Sequence, residues 1–167
     1  MAGKERMTQA PRFAALLALL VAACSPATNR PYFGPVTGAE MAELELDMRD
    51  ATETLAAVLR SDSLPIEKVM LRDGYLESAW FDAGSRQPTT RRPLGPDVVQ
   101  VRAWVGPSRQ GHSLIVVETV YRPLADPSRS PRDLDLQVPP DHPVGKRVAE
   151  IVRELARLYT REAPAAP

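Results

Sequence analysis

Ten residues late in the chain, Ser113 to Arg122, constrain the fold more than any other stretch. Leu114, Ile115, Val116 and Val117 stand in a row there, so both faces of an extended chain are apolar. A β-rich run of that kind belongs in the middle of a sheet, where layers or neighbours cover it. The preceding segment, Asp97 to Val105, supplies one neighbour. Its Val99, Val101, Ala103 and Val105 alternate with Gln100, Arg102 and Trp104, the period-two pattern of a strand with one apolar face. Gly106 to Gly111 turns the two strands into a hairpin.

A second hairpin is expected from Ile66 to Ala83. Asp73-Gly74 is a preferred pair for a two-residue type I′ turn, in which both residues need positive φ. With that register Val69, Leu71, Leu76, Ser78 and Trp80 share the face turned to the core. Lys68, Arg72 and Glu77 mark the other, with Met70, Ala79 and Phe81. Two helices flank the strands. Thr37 to Glu40 reads as a capping box, and Met41, Leu44, Met48, Ala51, Leu55 and Val58 recur at spacings of three and four, which predicts a helix from Gly38 to Arg60. Val144, Val148, Ile151, Leu155 and Leu158 predict another from Pro143 to Arg161, capped by Asp141 or His142. The expected fold is α+β: a four-stranded antiparallel sheet with an N-terminal and a C-terminal helix on one face, in the order α-β-β-β-β-α.

The prolines, 17 in all, gather outside these segments and mark the boundaries. Ser25 to Val36 reads as an extended tether, in which Tyr32 and Phe33 either dock or are incidental. Gly84 to Pro96 carries Arg86, Arg91 and Arg92. Pro123 to Pro140 is a loop long enough to be either functional or disordered. The expected organisation is a signal at 1–23, a tether at 24–36, one domain at 37–162 and a disordered tail at 163–167.

The signal reading rests on Lys4, Arg6 and Arg12 ahead of the apolar run Phe13 to Ala23. That run is about half of the roughly 20 residues a membrane-spanning helix needs. Met7 is an alternative start. Leu20, Val21, Ala22, Ala23 and Cys24 then resemble the lipobox of bacterial lipoproteins. The resemblance implies a diacylglycerol thioether on Cys24, cleavage before it and acylation of the new amine. Two or more chains, at about 0.8 kcal/mol per buried methylene, make a stable anchor. Ser25 and Pro26, rather than an aspartate, follow the cysteine. By the family's sorting rule this implies the outer membrane, facing the periplasm. Cys24 is the only cysteine, so neither an internal disulfide nor a cysteine-based zinc site is available.

From Ile66 through Asp73-Gly74 to Trp80, set between a helix and two further strands, the domain resembles BamC-like envelope lipoproteins over about residues 38 to 160. That resemblance implies a helix-grip-like fold and a place at the machinery that assembles outer-membrane β-barrels. The shared residues serve folding and carry no site over.

Chemistry is sparse. Lys plus Arg equals Asp plus Glu, 21 each, and removing the signal leaves the chain slightly acidic, which argues against nucleic acid. His112 and His142 read as loop histidines. There is no Gly-x-Ser-x-Gly elbow, and Asp126, Asp133 and Asp135 lack the glycine and terminal glutamate of a calcium loop. No catalytic residue, metal site or cofactor is expected. An interaction module is, with an envelope protein as partner and Trp104, Arg102, Tyr121, Arg91 and Arg92 as its candidate surface. Trp104 is either an open-face anchor or tucked beneath a proline-rich loop. The alternative is a lipid or other apolar ligand held between helices and sheet, marked by a cavity among Leu55, Val69, Trp80 and Leu155.

Overall fold

The computed structural model describes residues 30–31, 34–91 and 95–160. Cys24, Tyr32, Phe33 and Arg92 lie outside the described residues. The elements run β1 (Glu40–Leu44), α1 (Met48–Ser61), β2 (Ile66–Met70), β3 (Tyr75–Ser78), β4 (Phe81–Asp82), β5 (Val98–Pro107), β6 (Ser113–Tyr121), a 3-10 turn (Pro131–Leu134), β7 (Leu136–Gln137) and α2 (Pro143–Tyr159). Seven strands form one antiparallel sheet in the order β1-β6-β5-β3-β2, with β4 paired to β5 and β7 to β6.

This corrects the expected four-stranded sheet and its α-β-β-β-β-α order. The first element is a strand because β6, apolar on both faces, has a second edge to fill. β1 takes residues 113–117 of that edge and β7 takes Val120 and Tyr121. The spacing of Met41, Leu44 and Met48 suits a helix, but only Leu44 of the first two is buried, whereas Met41 is 63% exposed. Gly38 at φ +91° stands outside helical geometry, and Glu40, the expected third residue of the first turn, opens a strand instead. The helix starts instead at Met48, after a bend held by Ser113 Oγ donating to the Leu46 carbonyl at 2.8 Å.

Two further expectations fail at single residues. Met70 pairs with Tyr75, so the first hairpin turns through four residues, Leu71 to Gly74, and only Gly74 has positive φ (+60°). Asp73 N donates to the Met70 carbonyl, a type I-like turn closed by a left-handed glycine, so the turn is not type I′. Gly74 is fixed by a close approach as well: a Cβ there would run into the Val105 carbonyl oxygen. Downstream, Glu77 opposes Arg102 and Phe81 opposes Val99. The β3–β4 side spends four residues where β5 spends three, and the extra residue flips the alternation. Phe81 therefore enters the core in place of Trp80, whose ring lies beneath the Arg122 guanidinium, 4.7 Å from its centre.

Both helices pack on one face of the sheet. Leu44, Leu76, Val99, Val101, Ala103, Val105, Ile115 and Val117 meet Ala51, Leu55 and Leu59 of α1 and Val144, Val148, Ile151 and Leu155 of α2 in one continuous core. His142 caps α2 by accepting from Gly145 N, while Leu158, on the expected stripe, is 65% exposed. Among the described residues no helix is long and apolar enough to cross a membrane.

Candidate functional site

The opposite face of the sheet carries two transverse rows, set by register. In one, Met70, Tyr75, Trp104, Val116 and Met41 oppose one another in turn across five strands. In the next, Lys68, Glu77, Arg102 and Glu118 do the same. Alternating signs across paired strands attract, but this row is not a solvated ladder. The side chain of Glu118 is fully buried and that of Arg102 is 7% exposed.

Two segments cover them. Arg30 and Pro31, and after them Gly34 to Val36, lie over the face and are together called the strap. Arg30 Nη1 donates to the Asp73 carbonyl at 2.8 Å, Trp104 Nε1 to the Pro31 carbonyl at 3.4 Å, and Val36 N to Glu118 Oε2 at 3.1 Å. The loop after β6 is the second cover, for it is neither bare nor uniform. It holds the 3-10 turn and β7, and buries Leu134, Asp135 and Val138. Arg132 closes over the Trp104 ring at 4.7 Å and donates to the Gly34 carbonyl at 2.8 Å, so loop and strap are bonded to each other.

Beneath them lies an ionic cluster. Glu118 Oε1 accepts from Arg102 Nε at 2.7 Å and from Arg132 Nη1 at 3.4 Å. Asp135, its side chain also fully buried, accepts from Arg102 Nη1 at 2.8 Å and Arg122 Nε at 2.6 Å. Three guanidiniums thus face two carboxylates, every carboxylate oxygen is engaged, and Arg102 Nη2 is buried without a partner. Such a cluster specifies how loop and strap sit and does not by itself add much stability; breaking it is what costs. Beside it Tyr75 packs at 5.4 Å from Trp104 and donates to Glu77. Burial foremost, and then the Glu77 carboxylate, push its phenol well above the ordinary range.

The candidate surface residues are therefore scattered. Of the two readings of Trp104, the geometry matches the tucked one: it is 2% exposed beneath Arg132 and the strap, and Arg102 beside it is buried between carboxylates. Tyr121 packs against the core of the helix face. Arg91 is exposed at the far loop, 3.4 Å from Asp82. Arg86 ties its loop to the end of α1 through Asp62, which also receives Arg147 at 2.7 Å. Of the late-loop aspartates, Asp126 bonds Ser128, Asp133 is exposed and Asp135 is spent on arginines. His142 is buried, its Nε2 3.0 Å from the Pro96 carbonyl, and half-buried His112 lies 3.7 Å from Glu45. Leu55 and Leu155 are core residues and Trp80 stacks with Arg122 elsewhere, so the four residues offered for an apolar ligand do not converge.

Hollows lined by described residues open on both sides of the sheet. One of about 190 Å³ lies on the strap side, between Arg30, Trp104, Pro107, Leu114 and Val116. A larger groove of about 600 Å³ runs on the helix side, between the start of β1, the segment after β7 and the exposed flank of α2. The members of the ionic cluster that sequence reasoning missed, Glu118, Asp135, Arg122 and Arg132, had one signal: a glutamate in the middle of the most apolar strand. A charge there is either paired or an error of assignment. Comparisons with protein families, curated proteins and solved structures find no match.

Proposed function

We propose that this chain is a bacterial envelope lipoprotein, anchored through acyl chains on Cys24 to the outer membrane and facing the periplasm, whose domain is a protein-interaction module in outer-membrane assembly or maintenance. The observation that carries the reading is the sequence from Phe13 to Cys24, an apolar run ending in small residues and the only cysteine. The strap supports it. Arg30 is already bonded to the domain, and it stands only six positions after Cys24. Fully extended, that is about 20 Å, so an acylated Cys24 would hold this end of the sheet close to the bilayer.

Mass spectrometry of the N-terminal fragment, purified from membranes, tests the anchor. The expected result is a fragment beginning at Cys24 and carrying a diacylglyceryl group; Cys24→Ser should accumulate as an unacylated precursor. A free thiol on Cys24 in the wild type overturns the proposal.

A further inference from the structure

The helix-side groove carries an inference that concerns what the module holds. Its walls contain Lys146 and Arg153 from α2 and Glu40 from β1, one net positive charge, with Val138 and Gly38 among the uncharged lining. Lys146 and Arg153 are exposed, and among the described residues neither has an acidic partner, whereas Arg86, Arg102, Arg109, Arg122, Arg132 and Arg147 all do. Seven residues apart on one helix, their Cα atoms stand about 10 Å apart along its axis.

The wall opposite these cations is an edge strand. β1 pairs with β6 on one side only. Its outward groups beyond Met41 are taken by the end of α2, with Glu45 N donating to the Tyr159 carbonyl at 2.7 Å and Thr160 Oγ1 to the Glu43 carbonyl at 3.1 Å. Outward and inward residues alternate along an antiparallel edge. Met41 is therefore the strand residue whose backbone N–H and C=O face away from β6 next to the groove. An exposed edge beside a groove is the arrangement that binds an extended peptide as an added strand, main chain to main chain, with the groove reading alternate side chains.

We infer that the groove binds an extended, acidic segment of a partner protein, which adds to the β1 edge at Met41 and places carboxylates on Lys146 and Arg153. Same-face side chains of an extended chain lie about 7 or 13 Å apart at two or four residues, a span that two long flexible cations 10 Å apart can meet. The inference rests on the interaction-module part of the proposed function and names its binding surface; it does not require acylation of Cys24, so the mass measurement above and the binding measurement below fail separately.

The test is titration of the full mature protein, in detergent, with fluorescent ten-residue peptides alternating Glu with Val, against peptides alternating Lys with Val and against vesicles rich in anionic phospholipid. Saturable binding of the Glu peptide is expected, weakened at least tenfold by Lys146→Glu with Arg153→Glu, both exposed and, among the described residues, without a side-chain bond. Met41→Pro, which removes the outward N–H, should weaken it comparably while the melting temperature confirms the fold. The inference is overturned if the Glu peptide does not saturate, if the charge-reversed variant binds it as well as wild type does, if the Lys peptide or the vesicles bind as tightly, or if sedimentation shows that the β1 edge is closed by a second copy of the chain.

Discussion

Glu118→Ala is the perturbation that most directly probes how the strap side is held. In the wild type, three guanidiniums share two carboxylates. Removing Glu118 leaves the same three cations around Asp135 alone and deprives the Val36 N–H of its acceptor. Breaking a buried ion pair from one side costs about 3–5 kcal/mol. Arg132, about a quarter exposed, can turn to water and recover part of this, so a loss of about 3–4 kcal/mol is expected. At roughly 3–5 °C per kcal/mol for a domain of this size, the melting temperature should fall by roughly 9–20 °C. Urea unfolding followed by tryptophan fluorescence reads both the stability and the cover, since Trp104 is buried beneath the same segments. The paired replacement Glu118→Leu with Arg102→Met removes both charges and should cost clearly less than the two single changes summed. A Glu118→Ala loss within about 1 kcal/mol, or strict additivity in the pair, would refute the account of the cluster.

Gly74→Val should cost at least about 3 kcal/mol, with strain at positive φ giving about 1–3 and the collision with the Val105 carbonyl adding to it. A wild-type urea midpoint would show that the turn relaxes freely. Asp82 is held below its ordinary pKa of 3.8 by the Ser85 backbone N–H first, then the Ser85 hydroxyl. A depressed folded value means that its contribution to stability is full above pH 3.8 and is lost as pH falls through the folded value. Ser85→Ala should move the Asp82 midpoint, followed by NMR, upward toward 3.8; an unmoved midpoint counts against the loop geometry.

The sequence signals that survive in the structure are those whose cause is local. Alternation along Val99 to Val105 and the 3.6-residue period of Val144 to Leu155 each describe one element against one core, and each places its residues where they are buried. What failed depends on partners distant in the chain. Glu40 to Leu44 is extended because the free edge of β6, about 75 residues later, accepts it, and no window around Met41 contains that fact. The inserted residue between Glu77 and Phe81 exchanged Trp80 for Phe81 in the core, because a one-residue shift moves every later side chain to the other face. The strap face is the sharpest instance. Gln100, Arg102 and Trp104 read as the side away from the core, with Trp104 either open or tucked beneath a proline-rich loop, since alternation identifies that face and does not tell whether a second cover lies on it. Arg102 is buried because Asp135, 33 residues on, is brought over it.

The strap would also set an orientation if Cys24 were the lipid anchor proposed above. It enters at Arg30, bonded to Asp73 and Val105, beside the end of the sheet where Val105 opposes Ile115. It leaves at Val36 over Glu118 and turns through Gly38 into β1, where the groove begins. The groove's other wall follows Val138 N, bonded to the Thr119 carbonyl. From Ile115 to Thr119 is four residues along β6, about 13 Å. If Cys24 carries the lipid, the six residues before Arg30 tie the Val105 end of the sheet to the membrane and leave the groove displaced along β6 toward the periplasm. A site there would meet an extended chain in solution more readily than a bilayer surface. On that condition the tether geometry, like the edge strand itself, favours the peptide over the vesicle as the binding partner.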